Sequence, residues 1–213
     1  EYARSTEPYF IVPGIGIGAR GEVLTVRLYH RVAVAKIARV ALDLSSRTSV
    51  ALVRILLRER YGLDPAFVDA APNLEAMLAS ADAALLIGDP VFAALDGVYK
   101  SLDLSAEWTE LTGLPFVFAF WAGREDALDP ALVRVLIAAK EKGLRHIDDI
   151  ARAYHEESPG DPELYAHYLR EHINFDLNVA ALKGLRAFYD KAATHELIAA
   201  APDLRFYAME DGP

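Results

Sequence analysis

Four hydroxyl residues, Ser45, Ser46, Thr48 and Ser49, stand between an apolar run and an amphipathic one in LDLSSRTSVALVRILL, residues 42–57. The apolar residues 40–44 predict a buried strand, and residues 50–61 predict a helix with one apolar face. A helix begins with backbone N–H groups that lack internal partners and with the positive end of its dipole. Hydroxyls of Ser46, Thr48 and Ser49 beside those N–H groups would complete a site for a carboxylate or phosphate. The same hydroxyls serve equally well as a plain helix cap with no ligand.

Two further turns offer comparable chemistry. Asp89 follows an apolar strand (residues 83–87) and Gly88, so its carboxylate would act as an acid, a base or an acceptor for a hydroxyl. Ahead of Pro90 it also suits a cap on the residues that follow. Thr112-Gly113 precedes LPFVFAFWAG and would bring a hydroxyl and backbone N–H groups near a ligand. Phe116, Phe118, Phe120 and Trp121 in that strand are assigned mostly to the core, with a pocket lining as the alternative for one of them. Ligands of parallel α/β sheets bind outside the carboxyl ends of the strands, and the three turns, 45–49, 88–89 and 112–113, are all expected there.

Other motifs dissolve on their context. Gly16-Ile17-Gly18-Ala19-Arg20-Gly21 fits a dinucleotide fingerprint, but strand-like residues 23–29 follow where that fingerprint needs a helix. It reads as a glycine-rich bend between strands. The six histidines, at 30, 146, 155, 167, 172 and 195, include no pair at the i, i+4 spacing of a zinc helix, and no metal site is expected. Neither a Walker A loop nor a nucleophile elbow is present.

The elements that must position these residues alternate. Strands are expected at 9–17, 23–29, 39–44, 67–69, 83–87, 100–104 and 114–123, with helices after residues 49 and 73 and a short turn of helix capped by Ser105. Asp129-Pro130 and Asp161-Pro162 each place a cap before proline at the first helical position. Helices follow to about residue 198, and residues 204–208 are expected to return as a strand. The alternation implies a mostly parallel sheet in an α/β fold. Residues 31–118 are expected to form one lobe, and 1–30 with 119–213 the other.

Composition narrows the partners. With 213 residues, 53% hydrophobic and 25% charged, the chain can bury a sizeable core. A net charge of −9 argues against nucleic acid and anionic membranes, which select basic surfaces. The absence of cysteine excludes disulfides and thiolate chemistry and agrees with a cytoplasmic location, as does the absence of a visible signal peptide. The apolar stretches fall short of the roughly 20 residues that span a bilayer.

Three segments together, LDLSSRTSVALVRILL, ADAALLIGDPVFAAL and LDLSAEWTELTGLPFVFAFWAGR, resemble the chorismate dehydratase family of the futalosine route to menaquinone. The likeness runs from EYAR through GEVLTVRLYHR to HINFDLNVAALKGLRAFYDKA. It implies a periplasmic-binding-protein-like fold of the second type, with two α/β lobes, an interlobe cleft and an incomplete first lobe. It also implies dehydration of the dicarboxylate chorismate without a cofactor. Substrate-binding residues implied at the matched turns are Ser46, Thr48, Ser49, Asp89 and Thr112. The family's Tyr-Leu-Asn strand, with the Asn most associated with catalysis, has no counterpart here, so no catalytic residue is assigned, and the chain alone is expected to lack full competence. The sister dihydroxynaphthoate synthase resembles a Thr-Thr-Ala turn and a His-Glu pair, where this chain has Thr48-Ser49-Val50 and Gly88-Asp89. A non-catalytic solute-binding protein for a small carboxylate is the alternative from another class.

Overall fold

The structure, a computed structural model, describes residues 2–208 apart from Asp96 and Pro159. The chain divides into two compact units, Glu1–Gly18 with Phe116–Pro213, and Ala19–Pro115. The boundaries expected near residues 30 and 118 are displaced. The strand Val26–His30 joins the sheet of the central unit by pairing on both sides, and the strand Phe116–Gly123 pairs with Phe10–Ala19.

In the central unit, β2 (Val26–His30), β3 (Arg39–Asp43), β4 (Ala66–Ala70), β5 (Ala83–Ile87) and β6 (Lys100–Asp103) form a sheet in the order β4-β3-β5-β2-β6. β3 is parallel to both β4 and β5, and β2 is antiparallel to β5 and β6. The expected mostly parallel sheet is therefore mixed, because β2 enters between β5 and β6 in the opposite direction. The paired registers Leu42 with Leu85, Val26 with Ile87 and Arg27 with Asp103 bring the ends of β3, β5 and β6 and the start of β2 to one edge.

Among its described residues this unit has three α-helices: α1 (Arg47–Tyr61), α2 (Leu74–Ser80) and α3 (Leu104–Thr112). Leu52, Val53, Ile55, Leu56 and Leu57 bury one face of α1, and burial at such positions stabilises by roughly 1.5–3 kcal/mol per side chain. Its far end is tied to α3: Tyr61 donates to Glu107 at 2.5 Å, and Arg60 pairs with both Glu107 and Glu110. Trp108 of α3 is fully buried and donates to the Pro115 carbonyl at 3.2 Å. Asp103, and not the expected Ser105, caps α3, accepting from Ser105 N and Ala106 N.

The other unit pairs β1 (Phe10–Ala19) with β7 (Phe116–Gly123) in a two-stranded sheet. β1 runs through the glycine motif and leads on to β2, so the fingerprint's helix is absent, as expected. Gly18 is needed for strand approach, since a Cβ there would lie 2.8 Å from the Phe116 carbonyl oxygen. The helices are α4 (Pro130–Arg145), α5 (Ile147–Glu157), α6 (Pro162–His167) and α7 (Val179–Thr194). Asp129 and Asp161 cap α4 and α6 as their Asp-Pro pairs predict. Val12, Ile15 and Val133 anchor a core between β1 and α4, and Lys140 crosses from α4 to the Gly14 carbonyl and Asp176. Phe116 is buried, but Trp121 is 57% exposed, contrary to its assignment to the core, because alternate residues of β7 face away from the packed side. Residues 204–208 form no strand; Phe206 makes an isolated bridge to Ile11. No helix among the described residues is long and apolar enough to cross a membrane.

Candidate functional site

The carboxyl edge of the central sheet gathers the turn after β3, the turn after β5, the residues ahead of β2 and the start of α3. Ser46 caps α1 from an extended backbone, and its Oγ accepts from Ser49 N at 3.2 Å and from Ser49 Oγ at 3.0 Å. Both lone pairs of Ser46 Oγ are thereby used, which leaves its own hydroxyl proton to give. Ser49 is 1% exposed and faces inward to this bond. Thr48 is half-buried on the first turn of α1, with its hydroxyl engaged by no hydrogen bond among the described residues. The helix has no acidic residue in its first turn, so its N-terminal dipole is offset by nothing on the helix itself.

Replacing Ser46 with Ala removes an acceptor for Ser49 N and is expected to cost about 0.5–2 kcal/mol in urea unfolding of the central unit. The Ser49→Ala variant keeps that cap and should lose less.

Asp89 is exposed and opens a short 3-10 helix, Asp89–Ala94, without a capping hydrogen bond. The expected cap fails because Gly88, left-handed at φ 73°, occupies the N-cap position and has no side chain. The Asp89 carboxylate thus stays available at the end of β5. Thr112 does not share this edge's strand-end geometry. It is the last residue of α3, where its hydroxyl donates to the Trp108 carbonyl at 2.8 Å and accepts from Leu114 N at 3.1 Å. Its hydroxyl closes a helix that began at the edge.

The edge holds more than the hydroxyl pattern announces. The tetrapeptide Leu-Asp-Leu-Ser occurs twice, at 42–45 and 102–105, each time at the end of a strand. In both copies the Asp accepts from the Ser two residues on, at 2.9 Å for Asp43 and 3.0 Å for Asp103. Asp103 Oδ2 also accepts from Leu24 N at 2.8 Å and Val23 N at 3.1 Å, with the Arg27 guanidinium 3.7 Å away. This clamp holds Leu24 at φ 65°, a left-handed backbone that side chains rarely adopt. Arg27 Nε donates to the Leu24 carbonyl at 2.9 Å, and the next carbonyl, of Thr25, accepts from Gly88 N at 2.7 Å. Burial pushes the Asp103 carboxyl above its ordinary value, against the lowering pull of the Val23, Ala106 and Leu24 N–H groups and Arg27. Neither Asp43 nor Asp103 stands out by residue type; the repeated tetrapeptide was the available signal.

Surface depressions also occur in the other unit, one bordered by Glu7, Arg124 and Asp126 and one by Arg4, Ser5 and Glu196. They contain none of the expected binding residues.

This architecture defines the class as a periplasmic-binding-protein-like α/β fold. The periplasmic aliphatic sulphonate binding protein SsuA from Escherichia coli matches it with a TM-score of 0.63 at 16% identity, over 96% of this chain and 71% of that one. Within that class the chain belongs to the menaquinone biosynthesis family, whose profile matches residues 1–194. It is similar to the chorismate dehydratase of Thermus thermophilus, 35% identical over 205 aligned residues that cover 88% of this chain and 74% of the relative.

Proposed function

We propose that the protein acts on chorismate as a lyase, forming 3-[(1-carboxyvinyl)oxy]benzoate for menaquinone synthesis by the futalosine route. The observation that carries this reading is the capped N-terminus of α1 at the carboxyl edge of the central sheet, in a chain 35% identical to a chorismate dehydratase. Water loss breaks the bond from the ring carbon to its hydroxyl and removes one ring proton. The ring becomes aromatic with no change in overall oxidation, so orientation and charge stabilisation suffice and no cofactor is required.

In this reading Ser46 and Ser49 set the geometry of the turn, while the Thr48 hydroxyl and the first N–H groups of α1 receive a substrate carboxylate. Asp89 faces the substrate from the end of β5. Thr112 acts through the fold of α3. The acidic protein binds a dianion through local dipoles, since its net charge of −9 repels one at long range. No residue of this chain is assigned the proton transfer.

Incubation of the purified protein with chorismate, followed by mass spectrometry, tests the reading. Product lighter by one water supports it. Tight binding with no conversion favours a solute-capture role, and conversion of a cyclised futalosine derivative instead of chorismate favours the sister synthase.

A further inference from the structure

We propose that Asp43 determines ligand specificity at the α1 turn, its Oδ2 accepting a hydrogen bond from a ligand hydroxyl. This rests on the reading above and names the substrate feature that the turn selects. Asp43 is 2% exposed, and its Oδ2 is buried without a hydrogen-bond partner among the described residues. Its Oδ1 accepts from Ser45 N at 2.9 Å, in the turn that leads into α1. A buried acceptor left unpaired is costly, so such an atom in a site marks a donor that arrives with the ligand.

The second copy of the tetrapeptide supplies an internal comparison. Asp103 makes the same bond to the Ser two residues on, yet its outer oxygen is filled by Val23 N and Leu24 N. Among the described residues, no segment does this for Asp43. The difference lies at the end of β3, next in sequence to Ser46, Thr48 and the first turn of a 15-residue helix, where a ligand is expected. Asp43 also places a negative group beside the positive end of α1, which opposes an anion that brings acceptors only. A ligand with both a carboxylate and a hydroxyl satisfies the N–H groups and Oδ2 together.

Asp43→Asn tests this, because the amide oxygen preserves the bond from Ser45 N while Nδ2 replaces an acceptor by a donor. Calorimetric binding is measured for chorismate, for its dehydration product, which keeps both carboxylates but lacks the ring hydroxyl, and for inorganic sulfate. D43N is expected to weaken chorismate by roughly 10–100-fold, the loss of a hydrogen bond to a charged group, while the product binds equally or more tightly. Sulfate is expected to bind more tightly to D43N. Equal changes for chorismate and product, or unchanged sulfate affinity, overturn the proposal. If the unaltered protein binds neither chorismate nor product, the chorismate reading falls, and the sulfate comparison still decides the role of Asp43. Should D43N fail to fold by circular dichroism, Asp43→Ser, whose hydroxyl can accept from the same turn, is measured in its place against the same outcomes.

Discussion

Asp103→Ala should destabilise the central unit by about 3–5 kcal/mol, the usual loss when one partner of a buried charged cluster is removed. The carboxylate accepts from four backbone N–H groups, those of Val23, Leu24, Ser105 and Ala106, and faces Arg27. Its removal uncaps α3, leaves those donors without their acceptor and releases the left-handed Leu24 from the bonds that hold it. The chain has two tryptophans, of which Trp108 is buried in the central unit. Urea unfolding followed by Trp108 emission, in a Trp121→Phe background, therefore reads this unit alone. Asp103→Asn should lose less, since its amide oxygen can still cap α3 while Nδ2 opposes the N–H groups of Val23 and Leu24.

The same residue makes a pH prediction with a definite sign. Its folded-state pKa is raised above 3.8, so on acidification the folded protein takes up this proton before the unfolded chain does. The pH-dependent part of its contribution to stability is then fully present below the unfolded value and is lost as pH rises through the folded one. The stability gap between the unaltered protein and D103N should widen as pH falls through that window. A gap that narrows on acidification would contradict the assignment.

Trp108→Ala should cost a similar amount, about 3–5 kcal/mol, through lost burial and the cavity left behind. Trp108 is fully buried on α3, and its indole N–H meets the Pro115 carbonyl at 3.2 Å. Trp108→Phe separates the two contributions. It retains much of the apolar volume and leaves the Pro115 carbonyl without its donor, which by itself is worth about 1–3 kcal/mol. Circular dichroism during urea unfolding measures both variants, since the fluorescent reporter is removed. If Phe restores full stability, the indole bond contributes nothing and packing accounts for the residue.

Much of the secondary structure was legible because its signals are local. β5 follows from five apolar residues bounded by turn chemistry, and α1 from an apolar period preceded by a capping Ser. Asp129-Pro130 and Asp161-Pro162 announced α4 and α6 because a carboxylate cap and a proline's fixed φ act within one turn of chain. Ser105 misled for the same local reason. A Ser ahead of a helix is an ordinary cap, whereas Asp103 takes the position through bonds that also reach residues 23 and 24, some 80 positions away in sequence.

At the candidate site the balance reverses. Sequence alone identified the hydroxyl turn at 45–49 and the Asp89 turn, since residue types and an adjacent strand suffice to place both at a strand's end. Only the tertiary structure decided what those groups have left to offer. It uses up the Ser46 lone pairs on Ser49, turns the Thr112 hydroxyl to closing α3, and leaves Asp89 uncapped because Gly88 holds the N-cap. It also separates two identical tetrapeptides, satisfying Asp103 from the turn before β2 while leaving Asp43 Oδ2 without a donor. Local chemistry is written in neighbouring residues, but the saturation of a buried hydrogen-bonding group depends on which distant backbone the sheet brings beside it.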